Sequence, residues 1–219
     1  MKHSVKTLAL YFIGWRMLLC FTVLPLIRSS VSENSWIAAE LLSMLVVCVT
    51  AGILEHRKIY EDLNAFLSGR KRNAVCILGA VSAILAVQAV FMILMRSAGM
   101  NQIPQSAVFN QNLNRSSCFG SMMISVLLTP FLEETVWRVS LIQVLERYMK
   151  RSKAGIVSSI LFGLSHVLTG SASAPAVSLC WLIFYAVCGW ILFLAEEKSG
   201  SVFTSVIAHA AVNLASMVI

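Results

Sequence analysis

The chain has 219 residues, of which 58% are hydrophobic and 12% charged, with a mean hydropathy of +0.80 and a formal net charge of +7. That composition excludes a soluble globular domain and a disordered chain, and fits an integral membrane protein. The positive balance does not indicate nucleic acid, because Lys and Arg sit in short clusters between apolar runs, where they report topology. The six cysteines, Cys20, Cys48, Cys76, Cys118, Cys180 and Cys188, fall in or beside apolar runs without CxxC spacing. They read as small buried hydrophobes rather than as a disulfide framework or a zinc cluster. The expected fold class is all-α: a polytopic membrane helical bundle of about seven transmembrane helices, in one integral membrane domain.

In chain order, Lys2 and Lys6 precede an apolar run from Leu8 to Leu26. It is long enough to span a bilayer and has no small-x-small cleavage site, so it predicts a retained first span. Arg16 within it is expected to be structural, snorkelling or packed against the bundle. Trp36–Leu54 is the second span, with Glu40 expected at the interface. From Glu55 to Arg72 the chain becomes polar and amphipathic, predicting a loop or surface helix in which His56 is solvated. Asn73–Met95 is a third span, and Ser97–Ser117 an exposed loop carrying the sequon Asn114-Arg115-Ser116. Cys118–Tyr148 is a long helix ending in a basic cluster, and Ala154–Leu168 a fifth, shorter span. Thr169–Ser173 is a turn, with Pro175 in the first turn of the next helix. Ala176–Ala195 is the sixth span, Glu196–Ser201 a charged turn, and Val202–Ile219 the seventh span. Residues 1–96 thus form three N-terminal spans and residues 118–219 a four-helix core.

Counting cations by alternate connections gives twelve on one side, namely Lys2, Lys6, Arg57, Lys58, Arg70, Lys71, Arg72, Arg147, Lys150, Arg151, Lys153 and Lys198. The other side has three, Arg28, Arg96 and Arg115. The bias places a multi-pass protein in the cell membrane with the N-terminus cytoplasmic and the C-terminus outside.

The segment that needs most explanation is Pro130-Phe-Leu-Glu-Glu-Thr-Val-Trp-Arg138, which puts three charges in an apolar helix. Charge at bilayer depth is costly and marks a protein interior or a wet cavity. Glu134 and Arg138 stand one turn apart and are expected to pair as a structural clamp. Glu133 is rotated away from Glu134 by about 100° and faces elsewhere. Pro130 removes the hydrogen bond to the Val126 carbonyl, and the freed carbonyl, with Ser125 or Thr129, is expected to border a polar opening. Two further pairs share the same four-residue spacing, Phe162/His166 and His209/Asn213, on later apolar helices. At about 1.5 Å per residue, His166, His209 and Asn213 also fall at bilayer depth. Singly, each is most simply a helix–helix hydrogen-bonding group. Together with Glu133, the imidazoles form a general-base kit in a dry site.

Glu-Glu-x-x-x-Arg at Glu133 to Arg138, Phe-x-x-x-His at Phe162 to His166 and His-x-x-x-Asn at His209 to Asn213, in that order on late helices, resemble the CPBP family. These are CAAX prenyl proteases and bacteriocin-processing enzymes, also called Abi. The resemblance covers roughly Leu127 to Asn213; where the family often has Phe-Arg-Gly, this chain has Trp137-Arg138-Val139. It implies an intramembrane endopeptidase in which Glu133 and His166 activate a water, Glu133 acting as general base. His209 and Asn213 would stabilise the oxyanion, while Glu134, Arg138 and Phe162 support them. No cofactor is expected. The rival is a catalytic zinc held by Glu133, His166 and His209, although no HExxH pair is present to fix two ligands on one helix.

The implied substrate is a membrane-associated peptide or protein tail. The chain's small size and bare termini suit bacteriocin or leader maturation, or self-immunity, better than CAAX processing. A non-catalytic immunity or peptide-binding protein, and a small proton relay, are the alternatives from other classes. Beyond substrate and bilayer no partner is implied, and nucleic acid is not expected.

Overall fold

The structure, a computed structural model, describes residues 2–15, 26, 30–100, 119–168 and 174–218. It contains eight helices and no strand among those residues: α1 (Lys2–Ala9), α2 (Glu33–Leu54), α3 (His56–Ser68), α4 (Arg70–Ser97), α5 (Phe119–Leu145), α6 (Arg151–Leu168), α7 (Pro175–Ser199) and α8 (Val202–Val218). The helical membrane bundle read from composition is therefore the fold. Four helices are long and apolar enough to cross a membrane, Ser35–Leu54, Arg70–Ser97, Phe119–Leu145 and Pro175–Ser199, and Val202–Met217 is a shorter apolar one. Most of the proposed first span, with Arg16, lies outside the described residues. So do Arg28, residues 101–117 of the proposed loop with its sequon, and the Thr169–Ser173 turn.

Two large apolar clusters, and a smaller one of Ile142, Ala154 and Phe193, hold the bundle. Tyr11 and Trp15, just beyond α1, pack with Met44, Val47, Cys48 and Ala51 of α2, Trp137 and Leu141 of α5, and Phe162 of α6. Ala80 and Ile84 of α4 meet Trp181, Phe184 and Leu192 of α7 and Ala208 of α8. Helices α6 and α7 approach closely at Gly163: a Cβ there would stand 2.6 Å from the Leu182 carbonyl oxygen and 2.9 Å from the Ala186 nitrogen, both backbone atoms. Only glycine permits that approach, a common device where lipid supplies no hydrophobic drive between helices.

The basic clusters converge on one end of the bundle. Arg151 at the start of α6 bonds Glu146 beyond α5 (3.3 Å) and Glu196 and Glu197 of α7 (both 2.6 Å), tying three helix ends. Burial works against its charge, but the three carboxylates outweigh that and hold the guanidinium pKa above its ordinary value. At the same end Ser201 donates to the Asp62 carbonyl of α3 (2.7 Å). Between α2 and α3, the buried Glu55 accepts from Thr7 of α1 (3.1 Å) and from Ser140 of α5 (2.8 Å).

Two local expectations change. The segment Glu196–Ser201 is not a charged turn: α7 runs through Ser199, and the chain reverses at Gly200, whose φ of +76° suits glycine. Glu40 is buried rather than interfacial, because α2 starts at Glu33 and carries it two turns inward. Of the two alternatives for the stretch 55–72, a loop or a surface helix, the helix is the one present, interrupted at Glu55 and Gly69.

Candidate active site

Helix α5 sets the geometry. It is α-helical over Thr129–Glu134 but widens into π turns at Met123–Leu128 and Thr135–Ser140. Such bulges are frequent at functional sites because they re-aim the faces of a helix. In the first, the Thr129 N–H bonds the Ile124 carbonyl, five residues back. In that register the carbonyl left without a donor by Pro130 belongs to Ser125, not to Val126 as α-helical counting predicts. Asn213 of α8 occupies it, its Nδ2 donating to the Ser125 carbonyl at 2.9 Å.

One turn beyond Pro130 the two glutamates diverge. Glu134, fully buried, pairs with Arg138 at 3.1 Å and accepts from His209 Nδ1 at 3.1 Å. The guanidinium spends its other donors on the Ser158 hydroxyl (3.2 Å) and the Gly189 carbonyl (2.9 Å), and lies 5.6 Å from the centre of the Phe162 ring. Ser158 passes the chain on by donating to the Trp137 carbonyl at 2.7 Å. Arg138 therefore links α5, α6 and α7, while Glu134 links α5 to α8. The clamp expected from spacing forms, even though the second π turn lies between its members.

Glu133 points to the other side of this clamp. Its Oε2 stands 3.9 Å from His166 Nε2 and 3.9 Å from His209 Nε2. Those distances exceed a direct hydrogen bond and are of the size that one water bridges. Both rings are oriented from behind. His166 Nδ1 is 2.9 Å from the Phe162 carbonyl, which can only accept, so Nδ1 carries a proton and Nε2 faces Glu133. The ring also stacks on Tyr185 at 4.4 Å between centroids and 28° between planes. His209 Nδ1 is directed at Glu134, a carboxylate paired with Arg138, so it too carries a proton and turns Nε2 toward Glu133. Glu133 and His209 are buried, and the His166 side chain is 15% exposed.

Glu133, His166 and His209 thus meet at one point. Asn213 stands one turn along α8, held by Ser125, with one N–H spent and one remaining. The Phe162 ring packs near both imidazoles, 4.4 Å from His166 and 6.1 Å from His209. Among the described residues no group of three His, Cys, Asp or Glu is arranged to hold a metal ion. Sequence reasoning missed Ser158, Tyr185, Gly189 and Ser205, the last of which stands beside Glu134. A signal was present. Ser158, Phe162 and His166 repeat at four residues, as do Ser205, His209 and Asn213, and Tyr185 with Gly189 shares that spacing.

A helical membrane bundle with a buried carboxylate–imidazole centre is the class that fold and site define. Residues 115–215, a little under half of the chain and all of the centre, match the family model described as type II CAAX prenyl endopeptidase Rce1-like. Over those residues the chain is similar to the CPBP/CAAX family of membrane proteases. No curated protein and no solved structure shows a match to the chain.

Proposed function

We propose that the chain is an intramembrane endopeptidase that hydrolyses a peptide bond in a membrane-associated peptide or protein tail. The observation that carries this reading is the convergence of the Glu133 carboxylate and two oriented imidazoles at 3.9 Å each. A water between them would give a proton to Glu133 and attack the scissile carbonyl, with His166 Nε2 holding it. Asn213 Nδ2–H, and His209 when protonated at both nitrogens, would donate to the tetrahedral oxyanion, an interaction typically worth about 10²–10³ in rate per donor. Protonated Glu133 would then give its proton to the leaving amine. Glu134 and Arg138 hold His209 and the helix, and Phe162 packs near both rings.

We infer a metal-free reaction; a zinc ion held by Glu133, His166 and His209 is the rival that a chelator distinguishes. The N-terminus and the basic end of the bundle lie in the cytoplasm, and water enters from that end. Bacteriocin-type or leader peptides, processed for maturation or self-immunity, are the substrates we infer, with prenylated tails as the second class to test.

The test is mass spectrometry of membrane and secreted peptides from cells carrying the wild-type chain or Glu133→Gln at equal membrane abundance. New termini confined to wild type establish the protease and name its substrate. Identical profiles with any phenotype retained by the variant overturn catalysis in favour of a non-catalytic immunity role.

A further inference from the structure

Helix α3 connects two helices long enough to cross a membrane, α2 and α4, so it lies at the bilayer surface. Three sectors stand out on its surface, and His56, in the first turn, falls in the second of them beside Leu63 and Leu67. Taking Tyr60 as zero and about 100° per residue, Asp62, Phe66 and Ile59 fall near 200–260°. Asp62 is buried there, its carbonyl bonded by Ser201, and Phe66 packs against Phe203 at the start of α8 (6.2 Å). This sector faces the bundle end. Leu63, Leu67 and Tyr60 fall near 300–360°, about 100° round from it, which points sideways along the membrane surface. They are 37%, 52% and 66% exposed. Arg57 and Glu61 fall near 60–100°, opposite the bundle and toward water, and approach each other at 3.9 Å.

The apolar stripe runs into cations. Leu67, Ser68 and Gly69, with Arg70, Lys71 and Arg72 of α4, line an open hollow of about 640 Å³. None of those three cations makes an ion pair among the described residues, whereas Lys58 is taken by Asp62 at 2.8 Å.

We propose that α3 lies in the headgroup layer as an interfacial helix. In this reading Tyr60, Leu63 and Leu67 dip into the acyl boundary, and Arg70, Lys71 and Arg72 bind the phosphates of anionic phospholipids. An apolar stripe left against water would lose free energy that the acyl boundary supplies, and juxtamembrane cations gain on the order of 1 kcal/mol each from an anionic surface. Lateral placement of the stripe, and unmatched positive charge at the end of it, select a lipid surface over a protein groove. The proposal does not depend on the proteolytic reading.

The test uses the full-length protein with a nitroxide at position 57, 60, 63 or 67, in a background with the native cysteines replaced by serine or alanine. It is reconstituted into vesicles of phosphatidylcholine alone or with a third phosphatidylglycerol. The expected result is high oxygen and low nickel-chelate accessibility at 60, 63 and 67, with the reverse at 57. Adding phosphatidylglycerol should deepen the stripe, and Arg70→Gln/Lys71→Gln/Arg72→Gln should abolish that deepening. Uniform nickel accessibility at all four positions, in both vesicles, overturns the proposal in favour of a solvated or protein-facing helix. A stripe equally deep with and without phosphatidylglycerol, and unmoved by the triple variant, overturns the anionic-lipid assignment. The label and charge positions are exposed, whereas Cys48 and Cys188 are buried, so a melting temperature matched to wild type verifies that the cysteine-free background and its variants are folded.

Discussion

Replacing Arg138 by Met tests whether the Glu134–Arg138 pair is the clamp of the bundle. Both side chains are fully buried and 3.1 Å apart, and the guanidinium also bonds Ser158 and Gly189 on two other helices. Removing one partner of such a pair leaves an uncompensated buried charge, at a cost of about 3–5 kcal/mol. At about 2–4 °C per kcal/mol for a chain of this length, the melting temperature in mild detergent should fall by roughly 6–20 °C. Arg138→Lys should fall between, since one ammonium cannot reproduce a fork shared among a carboxylate, a hydroxyl and a carbonyl. Adding Glu134→Gln to Arg138→Met should restore part of the loss, with a coupling energy of about 2–3 kcal/mol, because the orphaned charge is gone. Thermal unfolding of wild type, Arg138→Met, Glu134→Gln and the double variant measures the cycle. A shift below about 3 °C for Arg138→Met, with purely additive effects in the double variant, would refute a buried clamp and place the pair in water.

Three further outcomes follow from the geometry. Gly163→Ala should destabilise by about 1–3 kcal/mol, because its Cβ would meet backbone of α7, and it should impair cleavage by displacing His166. Gly79→Ala, with nothing within 4 Å, is the control and should be neutral or stabilising in a thermal melt. Asn213→Ala should reduce the cleavage rate by about 10²–10³ while costing only about 1 kcal/mol of stability, a split that rate and melting measurements on one preparation resolve. Treatment with 1,10-phenanthroline should leave cleavage unchanged, and activity lost to it and restored by zinc would establish a metal enzyme instead.

The helices were legible because lipid imposes a simple rule: apolar runs of sufficient length, interrupted by clusters such as Arg147–Lys153, become α5, α6 and their neighbours. Charged residues at depth, Glu133, Glu134 and Arg138, were legible for the converse reason. Four-residue spacing placed His166 and His209 on inward faces, but it could not say which faces meet. That depends on packing, on Gly163 against Leu182 and Ala186 and on Trp137 beneath Tyr11. The π turns of α5 left no trace in the hydrophobic pattern. Counting in α-helical steps therefore assigned the freed carbonyl to Val126, one residue from the Ser125 that Asn213 holds. Buried Glu40 was misread for a related reason: helix starts are set by caps such as Ser32, which lie outside the apolar run.

The central claim is that Glu133 activates water in a buried site, and its most direct measurement is the single-turnover cleavage rate of the purified, reconstituted protein. Wild type is compared with Glu133→Gln on a substrate identified from the peptide profiles. The amide keeps shape but cannot take a proton, so the rate should fall by about 10²–10⁴ with the melting temperature held. Cleavage by Glu133→Gln within a few-fold of wild type would contradict the account.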